Sequence, residues 1–384
     1  MSNPKLIRTS TVSISLDYLL KGQLSFLQKH YEVLAVSGND IHLEEVANRE
    51  KIRTIGLEMQ RNISPLKDLL SLWNLYLLFK KEKPLMVHSI TPKAGLLTMV
   101  AGFLAGVPIR IHTFTGLIFP SKTGLLKRLL ILMDKLLCKF ATHIYPEGNG
   151  VKQDLINFRI TSKPLKVIAN GNVNGIDTDY FNKNQLSELE NQTLKNALGI
   201  NSNDFIFIFV GRLVGDKGIN ELITAFKKFE TTDSIKLLLV GPFEQELDPL
   251  SVDTLHEINS NTNIISVGFQ KEVRSYFAIA DALVFPSYRE GFPNVVLQAG
   301  AMSLPCIVTD INGSNEIIID GINGLIISPK NHVELHKVML QLVNDNLLRA
   351  NLRKHSREMI VSRFEQKMIW EAILEEYKRV ESNV

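Results

Sequence analysis

Short apolar runs rich in β-branched and aromatic residues alternate along the chain with longer stretches whose apolar positions recur every three or four residues. That alternation predicts an α/β protein built on parallel strands. In the first half it places strands at Glu32–Val36, Leu85–His88, Ile109–Thr113 and His143–Tyr145, with helices among them at Pro65–Lys81 and Gly124–Phe140. The turn-rich segment Asn170–Asp177, NGNVNGID, and a polar stretch to Asn203 then interrupt the pattern. The apolar run FIFIFV, Phe205–Val210, restarts it, with further strands at Lys236–Val240, Ile264–Val267, Ala282–Phe285 and Cys306–Thr309. The C-terminal part reads as helix and ends in Arg363–Val380.

At 384 residues the chain exceeds one typical core, and the break near Asn170 predicts two domains, 1–172 joined by a terminal helix 364–384, and 173–363. A hydrophobic content of 45% and a charged content of 22% describe an ordinary globular protein. The two cysteines, Cys138 and Cys306, stand in separate apolar segments and read as buried reduced thiols. No secretory leader is expected, and the most apolar window, Ala94–Val107, is shorter than the roughly 20 residues a bilayer span needs. The net charge of +3 hides an asymmetry, because residues 1–170 carry 23 Lys+Arg against 12 Asp+Glu, a net +11. The first half is therefore expected to meet something anionic, although no aromatic-interleaved basic motif points to nucleic acid.

Candidate chemistry gathers where strands end. GRLVGDKG follows Phe205–Val210 directly and puts Arg212 and Lys217 in a strand-to-helix loop. A planar fork and a movable point charge there suit phosphate oxygens, and the segment lacks P-loop spacing. After Ala282–Phe285 comes Glu290, then Gly291, Phe292 and Pro293 at the expected start of a helix that runs on through Asn294 and Gln298. The first amides of a helix have no partner within it and are free to grip ligand oxygens. Next, Asn312–Asn315 can open another helix after Cys306–Thr309. Two such loops beside one carboxylate suit a ligand bearing both phosphates and hydroxyls.

EGFPNVVLQA…LPCIVTD…GSNEII…GINGL resembles the donor-site signature of retaining glycosyltransferases of family 4, and the likeness extends to GRLVGDKGINELITAF, NGNVNGIDTDYF and IHTFTG in the expected order. The resemblance implies a GT-B fold, with two Rossmann-like domains facing a central cleft and a last helix crossing back to the N-terminal domain. It implies that Arg212 and Lys217 hold the donor diphosphate and that Glu290 holds donor-sugar hydroxyls. Amides around Gly291, Phe292, Pro293 and Asn294 would approach the sugar or phosphate. The family's second acid is replaced by Gln298, whose amide can hold a ribose diol only through neutral bonds about half as strong. His112 is implied to face the reacting sugar, with Gly22, His88, Lys93 and Thr113 as further candidates for the acceptor side. The triplet Asp177-Thr178-Asp179 spells a metal-binding DxD but falls in the interdomain connection, so no metal or other cofactor is expected.

Gly124–Phe140, GLLKRLLILMDKLLCKF, is expected to carry Leu125, Leu129, Leu132, Leu136 and Phe140 on one helical face and Lys127, Arg128, Lys135 and Lys139 on the other. It reads either as a helix packed on the sheet through its leucines or as a contact with an anionic bilayer surface. The expected function is transfer of a sugar from a nucleotide-diphosphate donor, UDP-linked, to a lipid-linked sugar acceptor of surface-polysaccharide biosynthesis. The expected place is the cytoplasm, at the inner face of the cytoplasmic membrane. A UDP-sugar epimerase of similar fold, or a silent subunit that only binds a nucleotide sugar, are the alternatives.

Overall fold

The computed structural model describes residues 3–60, 64–230, 234–244, 246 and 248–384, and its packing divides the chain into two units. Unit 1 comprises Met1–Gly175 with Gln366–Val384, and unit 2 comprises Ile176–Glu365. In unit 1, β1 (Lys5–Thr9), β2 (Glu32–Ser37), β3 (Arg53–Gly56), β4 (Met86–Ser89), β5 (Ile109–Phe114) and β6 (His143–Pro146) form one sheet in the order β3-β2-β1-β4-β5-β6. In unit 2, β7 (Phe205–Val210), β8 (Ile235–Val240), β9 (Ile264–Ser266), β10 (Ala282–Phe285), β11 (Cys306–Thr309) and β12 (Gly324–Ile327) follow the order β12-β11-β10-β7-β8-β9. Every pairing in both sheets is parallel. Counted within its own unit, each sheet has the doubly wound Rossmann order, which puts the chain reversal between its first and fourth strands.

Three strands were not read from sequence: β1, β3 and β12. β1 is KLIRT, too polar to register, yet its residues beyond Lys5 are buried because it lies at the sheet centre. β3 and β12 are four-residue edge strands with half-buried positions. The helices Pro65–Glu82 and Gly124–Phe140 form where periodicity put them. The expected terminal helix 364–384 forms as Gln366–Glu381, set off from the preceding helix Asn346–Phe364 where Glu365 turns extended (ψ 136°). The break falls at the boundary between the units, with Phe364 packed on Phe292 in unit 2 and the next helix returning to unit 1.

Unit 1 has a core on each face of its sheet. One is filled by the Pro65–Glu82, Pro92–Ala105 and Gly124–Phe140 helices, with Leu75, Phe79, Ala94, Met99, Leu137 and Cys138 among its buried residues. The other gathers the helices after β1 and β2 and the returning Gln366–Glu381 helix, through Leu16, Leu24, Val46, Ile369, Ile373 and Tyr377. Unit 2 has one large core around the phenylalanines of β7 and the leucines of β8. Both cysteines are buried free thiols, as expected. No helix is long and apolar enough to cross a membrane among the described residues.

Candidate functional site

In unit 2 the loops that leave β7, β8, β10 and β11 emerge at the carboxyl end of one parallel sheet, the edge where such sheets bind ligands. Two glycines let these loops touch. Gly218 has φ +72°, and a Cβ on it would lie 2.1 Å from the Pro286 carbonyl oxygen, so only glycine allows the loop after β7 to reach the loop after β10. Gly313 has φ +77°, and its Cβ would lie 2.3 Å from the Gly291 carbonyl oxygen, so the loop after β11 closes on EGFP in the same way. Tyr288 N–H then donates to the Asp216 carbonyl at 2.9 Å, tying the first two loops together.

This closure brings the sequence-predicted residues Lys217 and Glu290 into contact. The Lys217 ammonium pairs with Glu290 Oε1, and the Ser287 hydroxyl donates to the same oxygen at 2.7 Å. The ammonium also lies 5.6 Å from the centre of the Phe285 ring. Both charged side chains are about 15% exposed, 16% for Lys217 and 15% for Glu290, so the pair is accessible without being solvated. Arg212 is more open and donates through Nη1 to Glu244 Oε2 in the loop after β8, at 2.6 Å. Ser287 and Glu244 were not picked out from sequence; the one usable signal was that Ser287 stands three residues before Glu290.

The helix Asn294–Ala301 begins one residue later than expected, with Pro293 at its cap, a residue whose side chain makes no capping hydrogen bond. Phe292 does not face outward: its ring is buried and packs on Phe364 at 5.4 Å, leaving its backbone as the part that can meet a ligand. Gln298 lies one turn along from Asn294 and is half-buried, and its side-chain amide has no hydrogen bond among the described residues. Ser314, at the start of the short helix after Gly313, is fully buried with an unpaired hydroxyl. Asp177 closes a turn by accepting from the amides of Asp179 at 3.1 Å and Tyr180 at 2.8 Å, so the first carboxylate of the DxD triplet takes part in local structure.

The candidates in unit 1 need correction. His112 lies within β5, 1% exposed, its Nδ1 bonded to the Ser89 hydroxyl at 2.8 Å. A Cβ on Gly95 would sit 2.5 Å from its ring, so the Pro92–Ala105 helix lies directly on it. Burial holds its pKa down to about 3, so the packed imidazole is neutral. Lys93 is buried in a two-oxygen ion pair with Asp68, at 2.8 and 2.9 Å. Gly22 gives its N–H to Glu50 Oε1 at 2.9 Å, and Trp370 covers the place where a Cβ would stand.

His88 and Thr113 sit elsewhere, in a relay beneath the returning helix. Arg8 Nη1 donates to the Tyr377 oxygen at 2.6 Å, Tyr377 meets His88 Nδ1 at 2.5 Å, and His88 Nε2 meets the Thr113 hydroxyl at 2.8 Å. With the Tyr377 oxygen accepting from Arg8, its own proton is directed at His88 Nδ1, which assigns the His88 proton to Nε2. His88 and Thr113, with Arg8, Gln23, Glu147 and Asn172, line a cavity of about 20 Å³, room for one water. Burial and the neighbouring Arg8 charge hold His88 well below the ordinary histidine pKa.

Comparison with known proteins settles the class. Residues 190–359 match the family described as Glycosyl transferases group 1, and residues 27–171 match the Glycosyl transferase 4-like domain. A Staphylococcus aureus protein named capsular polysaccharide biosynthesis glycosyltransferase CapM is 33% identical over 97% of this chain and 96% of its own. The chain belongs to glycosyltransferase family 4. An Escherichia coli UDP-Gal:alpha-D-GlcNAc-diphosphoundecaprenol alpha-1,3-galactosyltransferase is 30% identical over 79% of this chain and 78% of its own. Among solved structures, Anabaena Alr3699/HepE in complex with UDP superposes with a TM-score of 0.82 over 98% of this chain and all (100%) of that one, at 18% identity. That likeness fixes the fold as GT-B. As a family 4 glycosyltransferase, the protein is an enzyme whose family signature coincides with the touching strand-end loops of unit 2.

Proposed function

We propose that this glycosyltransferase moves a sugar from a UDP-linked donor to a lipid-linked sugar acceptor, with retention of anomeric configuration, during synthesis of a surface polysaccharide. The names of its relatives support the acceptor class: one acts in capsule synthesis and another on a sugar diphosphoundecaprenol. The donor class is supported by the fold neighbour that carries UDP. The observation that carries the reading is the contact of Lys217 with Glu290, made by two loops whose residues are far apart in sequence.

In the proposed mechanism unit 2 holds the donor. Arg212 and Lys217 neutralise the diphosphate as negative charge grows on it, and backbone amides in the first turn of the Asn294–Ala301 helix reach its oxygens. Glu290 accepts hydrogen bonds from donor-sugar hydroxyls, and Gln298 holds the ribose as a neutral partner. For retention, the acceptor hydroxyl attacks from the face the diphosphate leaves, and the leaving phosphate oxygen takes the acceptor's proton. The two cations stand in for a divalent ion, so transfer is proposed to need none. Unit 1, with its basic bias, presents the acceptor, and the enzyme works at the inner face of the cytoplasmic membrane.

The test is direct. Purified protein is screened with UDP- and GDP-sugars for thermal stabilisation, where a ligand well above its Kd adds a few kcal/mol, about 3 at a hundredfold excess. The stabilising donor is then offered with a lipid-diphosphate sugar, and the anomeric configuration of the product is read by NMR. Stabilisation by no sugar nucleotide, or an inverted product, would sink the reading.

A further inference from the structure

The Pro65–Glu82, Pro92–Ala105 and Gly124–Phe140 helices lie side by side on one face of the unit 1 sheet and share a core. The middle helix is largely buried between the other two. The outer two turn apolar rows away from the protein. On the first, Leu66, Leu70, Trp73 and Leu77 are exposed, Leu66 to 84% and Trp73 to 56%. On the last, Leu125, Leu129, Leu132 and Leu136 are exposed, Leu125 to 81% and Leu132 to 62%. Each row steps by three or four residues, so each is a continuous stripe along one helical face. Single exposed leucines are common on protein surfaces; two stripes on one face of a domain are not.

Of the two readings of Gly124–Phe140, the one that packs its leucines on the sheet does not hold. Its leucine row does not pack on the sheet. The inward face includes Ile131 and Leu137, Asp134, and Lys127, whose ammonium lies 5.0 Å from the centre of the Phe158 ring. Arg128, Lys135 and Lys139 stay outside with the leucines. The carboxylates of the two outer helices are occupied or turned away. Asp68 pairs with Lys93, Glu82 with Lys5 and Arg53, and Asp134 is largely buried. The outward surface is thus apolar and cationic.

We propose that the outward faces of the Pro65–Glu82 and Gly124–Phe140 helices dock on an anionic lipid bilayer. The leucine rows and Trp73 enter the boundary between headgroups and acyl chains, while Arg128, Lys135 and Lys139 meet the lipid phosphates. A second copy of the chain fits this surface poorly, because pairing it with itself would set the same cations against each other over apolar area. The inference rests on the membrane contact of the proposed function, and adds to it a second helix and an inserted, salt-resistant apolar component.

The chain has two tryptophans, and Trp73 is the exposed one on this surface, which makes it a built-in reporter. Wild type and Trp73→Phe are mixed with phosphatidylglycerol vesicles carrying brominated acyl chains, and with phosphatidylcholine controls. The expected result is a blue shift with bromine quenching in wild type, absent in Trp73→Phe and weak with phosphatidylcholine. A Leu129→Gln/Leu132→Gln double variant, altered only at exposed positions, should bind anionic vesicles at least about tenfold more weakly, and the loss should persist in high salt. An Arg128→Gln/Lys135→Gln/Lys139→Gln variant should lose most of its salt dependence. Binding that vanishes in salt with no Trp73 shift would overturn insertion while leaving electrostatic contact. A Trp73 shift that follows protein concentration without lipid would overturn it in favour of self-association. Sugar transfer to a water-soluble acceptor, measured in parallel, reports on the proposed reaction separately from docking.

Discussion

One oxygen of Glu290 takes both the Lys217 ammonium and the Ser287 hydroxyl, so two residues, one from each of two loops, orient one carboxylate. Preorganised charge is worth most where it meets charge that develops during reaction. Arg212→Ala and Lys217→Ala should each cost on the order of 2–4 kcal/mol in the chemical step, read as kcat with saturating donor. Lys217→Ala should also weaken donor binding, because Glu290 loses the cation that orients it; near-wild-type turnover in both variants would show that neither touches the diphosphate. Gln298→Glu restores an acid at a half-buried position one turn into its helix. It should leave transfer intact or tighten the donor, measured as Kd by calorimetry, and a protein inert in both forms would be a silent binder. Asp177 spends its carboxylate on the amides of Asp179 and Tyr180, so dialysis against EDTA should leave turnover unchanged. Loss of transfer reversed by Mg²⁺ or Mn²⁺ would refute that.

The Gly124–Phe140 helix shows how far an element can be read from its sequence. Its bounds were legible, because seventeen residues of strong periodicity lie between a glycine and the start of β6. Its rotation was not, because leucines occur on nearly every side of it and the neighbouring helix decides which of them are covered. Strand-end motifs in unit 2 could be placed for a related reason: Glu290, Gly291 and Asn294 fall in one contiguous turn. His88, His112 and Gly22 were not, since what covers them comes from afar, as when Tyr377 reaches His88 across 289 residues. Asp134 carries the cost of the helix's rotation. Burial pushes its pKa up from 3.8 to about 7. The folded form thus holds a proton that the unfolded chain releases, and stability is lost as pH rises from 3.8 to about 7. Asp134→Asn should therefore raise the melting temperature at pH 8 and change it little near pH 4. An equal gain at both pH values would place the carboxylate in solvent.

At the scale of the molecule, two units of identical strand order have been given different interiors. Unit 1 buries the Arg8–Tyr377–His88–Thr113 relay and the His112–Ser89 pair between its sheet and its helices. Burial lowers His88 well below 6.5 and His112 to about 3, and it lowers His143 as well. Each of these groups stays neutral in the folded unit at pH values where the unfolded chain has taken up a proton. Stability is complete above the unfolded value of 6.5 and falls as pH drops below it, continuing for His112 to about 3. Glu376 adds nothing until lower pH. Burial pushes its pKa up, but hydrogen bonds from Arg379, Lys166 and Tyr145 outweigh that and hold it near 2, so its contribution is lost only below 4.5, as pH falls to about 2. Asp134 works the other way throughout the range from pH 6.5 to 5 but is one group against three. Unit 1 should therefore weaken between pH 6.5 and 5. Both tryptophans, Trp73 and Trp370, belong to unit 1, so tryptophan fluorescence follows its unfolding and not that of unit 2. The expected result is a melting temperature, followed by that signal, that falls steadily over this range. His112→Asn, whose side-chain oxygen can still accept from Ser89, should fall less steeply by up to about 1.4 kcal/mol per pH unit for the proton it no longer exchanges. Parallel curves for wild type and His112→Asn would mean that His112 titrates alike in the folded and unfolded chain, and that the Pro92–Ala105 helix does not seal it from water.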